Sequence, residues 1–130
     1  MGKQFDLIII GAGPGGYVAA KKAAKLSGHK KGDIYKGDVG GTCINRGCIP
    51  TKALVHAAML YREMTECEKF GLSAEKVGFD LQKIYEYKDL SAARMREELE
   101  KEFKELGVVS VRGTATIQSD KKVRVVKPNK

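Results

Sequence analysis

The stretch "LIIIGAGPGGYVAAKKAAKL", residues 7–26, leaves the chain few folding options. Leu7–Ile10 is an all-apolar run of the kind that forms a strand buried on both faces. It ends abruptly in G-x-G-x-x-G at Gly11, Gly13 and Gly16. The spacing predicts a strand, a tight turn and then an alanine-rich helix from about Gly15 to Leu26. Gly11 permits the turn, Gly13 lets a backbone approach a ligand, and Gly16 lets the helix pack against the strand, as in dinucleotide-binding turns. A helix start of this kind offers free N–H groups and a positive dipole end, which suit a pyrophosphate.

The remaining pattern predicts an α/β domain. Residues 29–36, "HKKGDIYK", stand where a second parallel strand belongs, but three lysines, a glycine and an aspartate make a poor one. A second helix is expected from about Pro50 to Cys67, with Leu54, Ala57, Tyr61 and Met64 along one face. A third covers roughly 80–106, its buried stripe formed by Met95, Leu99, Phe103 and Leu106. Glu97/Lys101 and Glu100/Lys104 lie on its wet side, and Gly107 suits its C-terminal cap. Short strands near 108–112, 114–117 and 123–126 then form an antiparallel meander, with "QSDKK" as the last turn. The chain shows no internal repeats.

At 130 residues the chain is one domain's worth. Its net charge of +8 comes from lysines and arginines scattered among glutamates, without interleaved aromatics. That distribution argues against a nucleic-acid platform. Four apolar residues at 7–10 are too few for a membrane span or signal peptide, so a cytoplasmic protein is expected. Paired cysteines in such a compartment are more often catalytic or metal-binding than structural.

Two of the three cysteines, Cys43 and Cys48, sit in "GDVGGTCINRGCIPTKAL", residues 37–54. On a regular helix, residues five apart have Cα atoms about 8.6 Å apart, beyond the roughly 7 Å a disulfide tolerates. The intervening "INRG" must therefore break regularity if the sulfurs are to meet, and Gly47 makes the break cheap. Pro50 suits the first turn of the helix that follows. A helix start also favours a thiolate. A zinc centre needs about four ligands, and the other candidates, Cys67, His29 and His56, show no paired spacing. Cys67 and His56 read as residues of the second helix and His29 as a loop residue, so no metal is expected.

"GAGPGGY", "GGTCINRGCIPTKAL" and "RGTATI" occur in this order in the flavoprotein disulfide reductases, which the chain resembles along essentially its whole length. It is most similar to their dihydrolipoamide dehydrogenase branch. The glutathione reductase branch usually carries Lys where Thr51 stands. The resemblance implies a Rossmann-like FAD-binding domain, three-layered, with a parallel sheet and a β-meander. It implies that Cys43 exchanges with substrate sulfur and that Cys48 lies nearest the flavin. The fingerprint residues Gly11, Gly13, Pro14, Gly15 and Gly16, with Gly40, Gly41 and Thr42, would line the FAD. Lys52 would sit by its ring system, and Lys36 and Ala115 by its adenine. The implied reaction oxidises dihydrolipoamide on a lipoyl-bearing acyltransferase complex, with electrons passing through FAD to NAD in a homodimeric enzyme.

The sequence departs from the family in one region. The family usually has Glu at the place of Tyr35, an apolar strand at "KKGD" and Gly at Ser27. It also continues into NAD and dimerisation domains, so residues 1–130 read as the N-terminal part of the FAD domain, incomplete as a fold. A sibling disulfide or mercuric reductase and a non-catalytic fragment with weak nucleotide binding are the alternatives.

Overall fold

The computed structural model describes residues 2–26 and 30–128. Ser27, Gly28 and His29, and with them the departure from the family at Ser27 and the loop placement of His29, lie outside the described residues. The elements run β1 (Leu7–Ile10), α1 (Pro14–Lys25), β2 (Lys31–Tyr35), α2 (Gly41–Arg46), α3 (Cys48–Thr65), a 3-10 turn (Cys67–Phe70), α4 (Leu81–Glu105), β3 (Val109–Arg112), β4 (Thr114–Ile117) and β5 (Val123–Val126). The fold class is α/β, with a parallel sheet in the order β1-β2-β3 and a separate antiparallel pair, β4-β5.

The segment expected to make a poor strand is the central one. β2 pairs Lys31 with Leu7 and Ile34 with Ile10 on one side, and Gly32 with Val109 and Tyr35 with Arg112 on the other. Two parallel ladders outweigh its weak strand propensity, which is context-dependent to begin with. Each awkward residue but one finds local compensation. Lys31 is buried, yet its ammonium donates to the Leu26 carbonyl at 3.1 Å, at the end of α1, where a cation also meets the helix dipole. At Gly32 a Cβ would lie 3.2 Å from the Phe5 ring, so the missing side chain makes room for an aromatic. Asp33 is the exception. It is fully buried and neither carboxylate oxygen has a hydrogen-bond partner. Burial pushes its pKa up to about 6.

β3 also departs from expectation. Val109–Arg112 joins the parallel sheet beside β2, which leaves 114–117 and 123–126 as a hairpin instead of a three-stranded meander. The cause is α4, whose end is closed by Gly107 in the left-handed region (φ +67°), with the Val108 N–H donating to the Phe103 carbonyl. The chain is thereby sent back along β2. Phe103 and Leu99 enter the core as expected, together with Ala12, Ala20, Val39, Ile44 and Val108. Met95 does not: it stays 38% exposed. On the wet side of α4, Lys101 lies 3.9 Å from Glu105.

The second helix begins earlier than expected, because the cysteine segment is itself helical. α2 is a short helix, Gly47 interrupts it at φ −127° and ψ −105°, and α3 starts at Cys48. Cys67 lies beyond α3 in the 3-10 turn, half-buried and free, its thiol donating to the Leu72 carbonyl at 3.6 Å. The expected stripe on α3 grades outward, with Leu54 and Ala57 half-buried and Tyr61 and Met64 exposed. No helix among the described residues is long and apolar enough to cross a membrane.

Asp33 yields a signed expectation. Its folded pKa of about 6 exceeds its ordinary value of 3.8, so the folded state holds the proton more tightly than the unfolded chain. Stability from this group is therefore intact below about pH 4, declines through pH 4–6 and is lost above, a change of about 3 kcal/mol. Asp33→Val should raise the urea midpoint at pH 7.5 far more than at pH 4.5. An equal gain at both values would mean that Asp33 is not buried as a protonated acid.

Candidate functional site

Two turns meet at the C-terminal end of β1. The first is the glycine fingerprint. Gly11 leaves the strand at φ +108°, its N–H donating to the Ile34 carbonyl at 2.7 Å. Gly13 is the N-cap of α1 and Pro14 its first residue, so the fixed proline ring starts a helix whose first N–H groups are free. A Cβ on Gly16 would overlap the Gly11 carbonyl, so the first turn of α1 can lie against the strand exit only as glycine. A Cβ on Gly13 or Gly15 would meet nothing within 4 Å, which leaves the helix start open to a ligand.

The second turn is Val39–Gly41. The Gly40 N–H donates to the Ala12 carbonyl at 2.7 Å, tying it to the fingerprint. Gly40 and Gly41 both have positive φ, +93° and +60°. A Cβ on Gly41 would lie 2.7 Å from the Gly13 Cα, so the two backbones touch there. The starts of α1 and α2 are thereby brought side by side, and Thr42 is exposed beside them.

The cysteines follow at once. Cys43 lies in α2, Cys48 begins α3, and the break at Gly47 brings their Cα atoms to 4.6 Å, bonded as a disulfide. Cys48 is exposed and Cys43 half-buried. Cys48 at the first position of an 18-residue helix meets unpaired N–H groups and a positive dipole end, which favour its thiolate once the bond opens. Lys52 stands one turn further along α3, exposed, on the same side of the helix as Cys48.

The other expected residues lie where β2 and the hairpin meet. Lys36 is exposed directly after β2, and Ala115 is half-buried in β4, paired with Val125. The end of β2 carries no carboxylate: Tyr35 packs against the core there, its phenol pKa raised by burial first and by the Glu100 charge second. Asp33 is buried, and Asp38 is exposed, 3.4 Å from Arg112. The residues thus fit a pyrophosphate better than a ribose diol, because no free carboxylate ends β2. Among the described residues, no three His, Cys, Asp or Glu side chains gather as a metal site; His56 lies exposed on α3.

The sequence reading missed Asn45 and Arg96. The Asn45 amide donates to the Val39 and Gly41 carbonyls at 3.0 and 2.8 Å and accepts from Arg96 of α4 at 2.8 Å. An amide between two cysteines is a signal that could have singled out Asn45. Nothing local marks Arg96, 51 residues further on.

The sequence profile of the family described as pyridine nucleotide-disulphide oxidoreductase matches residues 5–130. The chain is 42% identical to a dihydrolipoyl dehydrogenase of Staphylococcus aureus over 95% of its own length and 26% of that protein's. It is 40% identical to one from Geobacillus stearothermophilus, over 95% of the chain and 26% of the relative. A mitochondrial dihydrolipoyl dehydrogenase of Dictyostelium discoideum is 42% identical over 95% of the chain and 25% of its own length. The chain spans about a quarter of the length of these relatives. A fingerprint turn, a second glycine turn locked against it and a disulfide closed at a helix start are thus joined by a match across almost the whole chain: it belongs to the pyridine nucleotide-disulphide oxidoreductase family.

Proposed function

We propose that residues 1–130 carry the FAD-binding and redox-disulfide part of a dithiol oxidoreductase of the dihydrolipoamide dehydrogenase type. In this reading dihydrolipoamide borne on an acyltransferase complex is the substrate, NAD is the final acceptor at a site outside these residues, and the complete enzyme is a cytoplasmic homodimer. The observation that carries the reading is the Cys43–Cys48 disulfide, closed where α3 begins and one short helix away from the paired glycine turns.

The chemistry follows from the thiols. A thiolate of the dithiol substrate attacks the Cys43 sulfur, the Cys43–Cys48 bond breaks, and Cys48 leaves as a thiolate. The free N–H groups and positive dipole end at the start of α3 stabilise the departing thiolate. The second substrate thiol then attacks its own sulfur in the mixed disulfide, releasing Cys43 and a cyclic substrate disulfide. Two electrons now reside on Cys43 and Cys48. Bound FAD would accept them as an electron pair. The fingerprint and Val39–Gly41 turns would hold its pyrophosphate, and Lys52 would lie near its ring system. Lys36 and Ala115 would flank its adenine.

One observation favours a second reading, a fragment that binds nucleotide weakly: Tyr35 occupies the place of the ribose acceptor, and no other carboxylate replaces it. The two readings predict the same thiol behaviour, and a preparation free of flavin and unable to take it up would favour the second.

Two outcomes are expected. Dihydrolipoamide should reduce the Cys43–Cys48 bond stoichiometrically, as read by alkylation and peptide mapping. Cys67 should stay outside any disulfide, and no NADH should accumulate, since these residues hold a single G-x-G-x-x-G. A disulfide containing Cys67 as the main oxidised species would refute the thiol assignment. FAD titrated into the chain should bind weakly, and Tyr35→Glu should tighten it about tenfold, the effect of one hydrogen bond to a charged acceptor. Unchanged or weaker binding in Tyr35→Glu would show that position 35 does not face the ribose.

A further inference from the structure

We propose that Arg96 is a positioning residue for the Cys43–Cys48 pair, acting through the Asn45 side chain. The inference rests on the redox reading of that pair and adds to it a residue from a distant helix.

Asn45 lies between the two cysteines and spends its amide on three bonds. Its NH2 group donates to the Val39 and Gly41 carbonyls, and its oxygen accepts from the Arg96 guanidinium. The partners fix the amide's orientation, because carbonyls only accept and a guanidinium only donates. The guanidinium is permanently charged, so its bond to the amide oxygen is stronger than a neutral one. It also polarises the amide and strengthens the two N–H bonds on the far side. The charge of α4 is thereby transmitted to the turn that starts α2.

The need for such a tether is physical. α2 has six residues, well below the length at which a helix holds itself together. Its two flanking breaks are glycines, Gly40 and Gly47, which add freedom at both ends. Cys43 therefore rides on a segment that outside contacts must fix. Cys48 rides on α3, which packs along α4. The bond from Arg96 refers Cys43 to the same 25-residue helix that supports Cys48. The sulfurs are then held together by a rigid body and not only by the bond between them. Fixing both thiols raises their effective concentration and favours the disulfide over the dithiol.

The test is a redox equilibrium. The 130-residue chain is equilibrated in glutathione buffers, and the oxidised fraction of Cys43–Cys48 is read by alkylation and mass. Arg96→Met should lower the equilibrium constant for disulfide formation about tenfold, and Arg96→Lys should recover much of the loss. Lys21→Met removes a different tether of α4, the 2.6 Å ion pair with Glu102 that leads to α1. It should leave the constant unchanged, which separates positioning from general loosening. Equal shifts in Arg96→Met and Lys21→Met, or no shift in either, would overturn the proposal. If circular dichroism shows Arg96→Met to be unfolded, Arg96→Gln decides instead, and a constant equal to that of the unaltered chain counts against the proposal. An unaltered chain whose disulfide does not exchange with glutathione would overturn the redox reading and this inference with it. An unaltered chain that exchanges, beside variants that match it, would overturn only the role of Arg96.

Discussion

The contact on which the site depends is between two backbones. The Gly40 N–H reaches the Ala12 carbonyl, and the Gly41 Cα region rests against Gly13. No side chain is possible at Gly41, where φ is +60° and a Cβ would strike the neighbouring turn. Because the turns are in contact, the open start of α1 and the cysteine segment become neighbours, although about thirty residues separate them in sequence. The sheet serves this contact: β2 lies between the turns in the chain and delivers the second to the first.

β2 accomplishes this with residues that do not belong in a strand. The ladders on both sides supply the hydrogen bonding, Lys31 reaches the end of α1, and Gly32 yields space to Phe5. Only Asp33 is left unmatched. A buried carboxyl kept neutral costs less than a buried charge, and this is the physical content of its raised pKa. The parallel order therefore survives a sequence that argues against it, at a cost to stability that grows with pH.

What the sequence disclosed and what it withheld divide along physical lines. Gly11, Gly16 and Gly107 were legible because what they permit, a turn, a close approach and a left-handed cap, is set within a few residues. Gly41, whose Cβ would strike Gly13 of a distant turn, entered only through the family resemblance. The break at Gly47 was legible because two cysteines five apart cannot meet on a regular helix. The strand character of residues 31–35 was not, since it comes from ladders with partners more than twenty residues away. The same holds for β3, whose parallel pairing is set by the end of α4, and for Met95, whose helical period is right but whose place faces no neighbour that buries it. Arg96 is the extreme case, a surface-type residue on a charged helix whose partner is known only once the chain has folded.

The two functional halves of the site consequently rest on different foundations. The thiol chemistry depends on Cys43, Gly47, Cys48 and the start of α3, all within one short segment and its tether to α4. Nucleotide affinity depends in addition on the end of β2, where Tyr35 turns toward the core and Asp38 is engaged with Arg112. A change in β2 can weaken the second without reaching the first, because no side chain of β2 bonds to the cysteine segment among the hydrogen bonds described. Thiol exchange therefore requires less of this chain than flavin binding does, since an accessible sulfur and a stabilised leaving thiolate suffice for it.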